Sequence, residues 1–311
     1  MKWIFAALLA LWSNVAMAAT PMKVMILDGA SAAAYHDWKL GSQIMKRELE
    51  ETGLFAVTVV TVPPSDGDFS SVHPDFAQYQ VVVLNYDSQD WPAALKTEFE
   101  TYMKNGGGLV VVHGADNAFP DWPAFNEMTG VGGWRKRDAP AGPKWYYLNG
   151  KLTSDTALGP AGLHGKRRPF RLTARAPEHP ILRGLPAEWT HAADELYTRL
   201  RGPGKNMTVL ATAYADPANR GTGFDEPMLM ALTWGKGRIF HTTMGHDALA
   251  LSCVGFMTTF QRGTEWAATG QVTQKVPKNF PTADSVSYRA DLAAMDPLTA
   301  DGVLTTLPPP K

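Results

Sequence analysis

The sequence predicts an α/β fold built on a doubly wound, mostly parallel sheet with a loop-rich insertion. Three observations predict it. Short apolar runs stop at polar turns, as buried parallel strands do. Segments with helical spacing separate the first of these runs. A stretch from 120 to 165, rich in Gly, Pro and Trp, has neither period.

In order, Lys23 to Leu27 reads as a strand ending at Asp28-Gly29. Trp38 to Glu51 reads as a helix, with Leu40, Ile44, Met45 and Leu49 on one face and Gly53 as its stop. Phe55 to Val62 is a second strand, closed by Pro63-Pro64. Gln80 to Leu84 is a third, leading into Asn85, Tyr86 and Asp87. Trp91 to Asn105 is a second helix; Gly106-Gly107-Gly108 and the strand Leu109 to Val112 follow, then His113-Gly114. After the insertion, strands are expected at Phe170 to Thr173, Thr208 to Ala213, Met228 to Trp234 and Arg238 to Thr242. The last two are joined by the hairpin-type turn Gly235-Lys236-Gly237. A single helix from Leu249 to Ala268 closes the domain.

The ends of the chain read differently. Lys2, the apolar run Trp3 to Trp12 and the small residues Ala16-Met17-Ala18 have the form of a signal peptide over 1–18. A periplasmic or secreted location follows as an expectation, with no membrane attachment after cleavage. The domain is expected over 19–271 and an extended or disordered tail over 272–311, which is rich in Pro, Thr and Ala. A net charge of −1 gives no reason to expect a nucleic-acid partner. Cys253 is the one cysteine, so no intramolecular disulfide and no cysteine-based zinc site can form; its apolar neighbours make it a core residue.

Strand ends of a parallel sheet share one edge, and ligands bind in the crevice there, which makes Asp28, Asp87 and His113 neighbours of one cleft. Four polar clusters fall at strand ends or loops: His36-Asp37-Trp38, His113-Gly114-Ala115-Asp116-Asn117, Asp194-Glu195-Leu196-Tyr197 and Gly245-His246-Asp247. Asp37 and Asp247 each precede a helix and suit N-caps. Three histidines and a carboxylate are also what a divalent ion such as zinc takes, although no tight metal-binding spacing is present. Trp91, Trp122, Trp134 and Trp145 offer rings that stack on sugars, or that simply fill the core.

Taken in order, these pieces resemble the trehalose-utilisation (ThuA-like) family. They are His36-Asp37-Trp38; Gly106-Gly107-Gly108-Leu109-Val110-Val111-Val112-His113; His179-Pro180-Ile181 with Gly184-Leu185-Pro186; Asp194-Glu195-Leu196-Tyr197; Gly237-Arg238-Ile239-Phe240; and Gly245-His246-Asp247. The resemblance implies a flavodoxin-like fold akin to class I glutamine amidotransferases. In those enzymes a nucleophilic cysteine occupies the turn where this chain has His113-Gly114, so amidotransferase chemistry is not supported here.

The resemblance further implies a small-molecule sugar substrate and a functional link to sugar 3-dehydrogenases, which make 3-keto sugars. A ketone at C3 acidifies the C2 hydrogen. Its removal gives an enediolate that expels the C1 substituent or is reprotonated, so elimination, hydrolysis or isomerisation of a 3-keto-glycoside is expected. In that scheme His113, Glu195 and His246 are catalytic. His36, His113, His246 and Glu195 form the set for a divalent metal such as zinc; no nucleotide cofactor is expected. Trp38, Asp87, Asp116, Trp134 and Asp247 hold the sugar. The alternatives are a non-catalytic sugar-binding protein and a metal-dependent hydrolase of an amide or ester.

Overall fold

A computed structural model describes residues 20–296 apart from 31–34, 65–66 and 71. The signal-peptide reading and the last part of the tail lie outside the described residues. One mixed sheet organises the chain. Its first half is β1 (Met22–Asp28), β2 (Phe55–Thr61), β3 (Val81–Asn85) and β4 (Gly108–Val112), with α1 (Trp38–Glu50) and α2 (Ala93–Lys104) between them. These strands pair in parallel in the order β2-β1-β3-β4.

The side-chain alternation of each strand feeds two cores. In β1, Val24 and Ile26 pack with Ile44 and Leu49 of α1, whereas Met25 and Leu27 pack with Phe99 and Met103 of α2. All of these side chains are buried, so this half is covered by helices on both faces as the apolar runs require.

After α3 (Pro123–Thr129) the pattern changes. The strands β5 (Lys144–Leu148), β6 (Lys151–Asp155), β7 (Arg168–Ala174), β8 (Glu188–Asp194), β9 (Thr208–Tyr214), β10 (Asp225–Trp234) and β11 (Gly237–Thr242) follow without a crossover helix. The sheet order continues β4-β11-β10-β9-β7-β8. Only β11 joins the parallel set, against β4; the other pairings in this half are antiparallel. The expectation of a mostly parallel sheet is therefore corrected: antiparallel pairings outnumber parallel ones. The physical reason is the connections. A parallel pair needs a crossover of a dozen or more residues, but β10 turns into β11 at Gly235-Lys236 and must run back beside it.

Three further differences matter for the site. The insertion holds a helix and the β5–β6 hairpin rather than bare loop. β8, which lacks clear alternation in sequence, forms the last strand in the sheet order. Its edge is closed by the C-terminal segment, where Thr190 N–H donates to the Thr282 carbonyl at 2.8 Å. The expected single closing helix is two, α4 (Ala248–Ser252) and α5 (Val254–Thr269), broken at Cys253 (ψ 125°). That break lets Cys253 bridge to Tyr288, so the described part of the tail is extended but docked on the domain. It ends in α6 (Ala290–Ala293), with Leu292 and Ala293 buried. Among the described residues no helix is long and apolar enough to cross a membrane.

Candidate metal and acid–base site

The carboxyl ends of β1, β3, β4 and β11 face one edge, and the polar clusters of the sequence gather there. His113 follows β4 directly, with φ at +46°, a left-handed conformation uncommon outside glycine. Gly114 comes next because the His36 ring occupies the space beside it: a Cβ there would sit 3.0 Å from His36 Cε1. His246 follows β11 through Gly245, itself at φ +114°. The rings of His36, His113 and His246 lie 5.0–5.4 Å apart, edge to face.

Glu195, just past β8, completes the group. Its Oε2 lies 3.2 Å from His246 Nδ1 and 3.6 Å from His113 Nε2, and its Oε1 lies 3.5 Å from His164 Nδ1. One donor atom from each of His36, His113, Glu195 and His246 falls within 4.8 Å of every other. Burial pushes the Glu195 carboxyl up, but His113 and His246 outweigh it and hold it well below the usual carboxylate range. For His113, burial opposes the charged ring; the Glu195 and Asp194 carboxylates overcome it and raise the imidazole.

The hydrogen bonds fix the histidine's chemistry. His113 Nδ1 lies 2.8 Å from the Thr243 carbonyl, which can only accept, so Nδ1 carries the proton. In the neutral ring Nε2 then presents a lone pair to the cluster, where the Tyr197 hydroxyl donates to it at 2.8 Å. The Nδ1–H bond to a carbonyl is the arrangement that orients a metal-ligating histidine, and an ion at Nε2 would displace the Tyr197 hydrogen bond.

Asp194 organises the cluster from below. Wholly buried, its carboxylate accepts from the backbone N–H of Glu195 (2.7 Å), Gly245 (2.8 Å) and His246 (3.2 Å), and pairs with His191 Nε2 at 2.9 Å. Burial opposes both charges of that pair, yet Asp194 is lowered by His191. His191, flanked by the Cys253 sulfur and Asp194, is pushed up to about 10.

The cleft beside the cluster is lined by His36, Trp38, His113, Arg167, His246 and Asp247, among others. Of the residues the sequence reading assigns to the sugar, Trp38 and Asp247 line this cleft. Asp247 also caps α4 through Ala250 N–H and forms an ion pair with Arg167, and Asp37 caps α1. Trp134 packs on Tyr197, ring centres 4.6 Å apart, and reaches the His164 ring.

Asp87 and Asp116 are placed differently from expectation, because neither lines that cleft. Asp87 is buried and held by Arg135, and burial raises its carboxyl; Asp116 is wholly buried, with Oδ2 3.3 Å from His241 Nε2. Both are buried, which leaves them no open face for a ligand, and Trp134 does not line the cleft either. Asp28 is likewise buried and accepts from Thr61. Trp91 and Trp122 fill the core against Phe99 and Phe119. Sequence reasoning gave no site role to Tyr197 and Asp194, although both stand in one of its polar clusters, nor to His164, His191 and Arg167. Tyr197 had a signal: in extended chain it shares a side with Glu195.

A family model described as trehalose utilisation (ThuA) matches residues 23–267. A crystal structure of a protein described as ThuA-like, from Parabacteroides merdae, is 44% identical and superposes with a TM-score of 0.84, covering 88% of this chain and 99% of the other. A second ThuA-like protein, from Bacteroides uniformis, is 20% identical with a TM-score of 0.56, covering 84% of this chain and 96% of that one, a likeness of fold. No curated protein matches the chain.

Proposed function

Because the chain belongs to the ThuA family of trehalose utilisation, we propose that it is an exported enzyme acting on a 3-keto-glycoside or related keto-sugar. The observation that carries this reading is the convergence of His36, His113, His246 and Glu195 within 4.8 Å of one another, with the three histidines lining a cleft that Trp38 and Asp247 also line.

The donor set fits a divalent ion. Three imidazoles and one carboxylate are a zinc-type set; Zn–N bonds of about 2.0–2.1 Å put tetrahedral donors about 3.3 Å apart, so donors within 4.8 Å of one another draw together by up to about 1.5 Å on binding. His113 is oriented for that role by the Thr243 carbonyl. When bound, such an ion supplies Lewis-acid polarisation of the ketone oxygen.

The protein's own groups do the rest. Glu195 stays ionised at neutral pH and is the anionic member of the set. A carboxylate held so low is a weak base, and an imidazole that binds an ion has no lone pair left for a proton, so C2 proton removal falls to an imidazole outside the ligand set. His164 stands beside Glu195 outside the four. Trp38 offers a flat face to a sugar ring, and Asp247 with Arg167 offers hydrogen-bond partners to its hydroxyls.

The test is a product assay on 3-keto-trehalose with elemental analysis, before and after chelation, for the wild type and for His113→Ala and His246→Ala. Stoichiometric metal, loss of turnover on chelation and inactive but folded variants are expected. Wild-type turnover in both variants would sink the assignment.

A further inference from the structure

The metal-ligand candidates His36 and His246 sit on different parts of the chain, and each is followed two residues later by a helix: His36 by α1, His246 by α4. What holds those two helices in register therefore sets the spacing of the two rings. The segment that spans them lies beyond residue 267, outside the region matched by the family.

This segment is fastened at every stage. The Thr282 and Ala283 carbonyls accept from Thr190 of β8 at 2.8 and 2.7 Å. The Ser287 carbonyl accepts from Val254 N–H at 2.8 Å, and Arg289 N–H donates to the Ser252 carbonyl, the last residue of α4, at 2.9 Å. On the other side, the Arg289 guanidinium reaches Glu51 at the end of α1 (2.7 Å) and Asp291 (2.8 Å), while Arg47 of α1 also meets Asp291. Between these anchors Leu292 and Ala293 are buried in the same core as Ile44 of α1 and Leu249 of α4. The segment then continues to Asp296, which stands in the wall of the cleft.

We propose that residues 282–296 are a clamp belonging to the site: α6 and Arg289 lock α1 against α4 and so fix His36 against His246, with Arg289 as the positioning residue. Arg289 touches neither imidazole. It acts through the backbone of α4 and the carboxylate of Glu51. The inference goes beyond the sugar reading and does not depend on it, since it concerns the geometry of two rings whatever they act on.

The test uses the full chain, with ring 1H–15N resonances assigned by single histidine replacements. In Arg289→Ala and in Leu292→Ala, the His36 and His246 signals are expected to shift or broaden. Those of His73 in a remote loop and His241 in the core are expected to stay in place. Arg289→Lys, which keeps the charge but not the fork that holds Glu51 and Asp291 together, should bring the signals only part of the way back to wild type. Two variants serve because they cut the clamp independently, one at its exposed ion pairs and one at its apolar anchor. His36 and His246 signals unchanged in both alanine variants would overturn the proposal, and so would equal shifts at all four histidines, which would mark a general loosening of the fold.

Discussion

Replacing Asp194 with Ala removes the acceptor of four hydrogen bonds at once, from His191 and from the backbones of Glu195, Gly245 and His246. It also strands His191, wholly buried, without its carboxylate. Breaking one side of a buried ion pair costs about 3–5 kcal/mol, and the orphaned backbone N–H groups overlap with that cost rather than adding to it in full. A loss of about 3–5 kcal/mol is thus expected, against a total stability of roughly 5–15 kcal/mol for a typical domain.

The pH dependence has a definite sign. The Asp194 carboxyl is lowered in the fold, so its contribution is present above its unfolded value of about 3.9 and fades as pH falls. His191 is pushed up to about 10, so its contribution is full below its unfolded value of about 6.5 and is lost as pH rises through the folded one. The gap between wild type and variant should be widest at about pH 4–6.5 and should narrow toward pH 10. Urea unfolding at pH 6 and pH 9 measures it. A gap under about 1 kcal/mol at pH 6, or one that widens with pH, would refute the reasoning.

Two further outcomes follow from single positions. Glu48 is wholly buried in α1, and neither carboxylate oxygen has a hydrogen-bond partner; burial, the dominant influence, raises its carboxyl well above the ordinary value. A folded state that keeps a proton the unfolded chain releases loses stability as pH rises above about 4.3, so Glu48→Met should stabilise the protein at pH 8 by about 1–3 kcal/mol, and destabilisation in a melting experiment would contradict this. Gly114→Ala pushes a methyl into the His36 ring, and cobalt or zinc titration should report affinity lowered about 10–100-fold, as for a displaced ligand support, with the melting temperature little changed; unchanged affinity would mean that His36 is not a ligand.

Much of the site was legible because some of its determinants are local. Parallel strands of one sheet end on one edge, so His113 after β4 and His246 after β11 could be brought together from their positions alone. The N-cap roles of Asp37 and Asp247 were also local, each a carboxylate three residues before the N–H that it accepts from. The antiparallel half was not legible, because what decides it is which strand lies beside which. Strands β7, β9 and β10 read as strands whichever way they pair, and β8, without clear alternation, does not read as a strand.

The sequence alone determined where the chain forms its first strands and helices, which histidines stand at strand ends, and that no cysteine nucleophile follows β4. Hydrophobic period, turn residues and residue identity settle these within a few positions. Tertiary structure alone decided what each carboxylate does. Asp87 is taken by Arg135, 48 residues away, and Asp116 by His241, 125 residues away. Asp194 and Glu195 are neighbours, yet one is the buried brace of the cluster and the other a member of it. A charged side chain acquires its role from the partner that offsets its burial, and that partner is brought to it only by the fold.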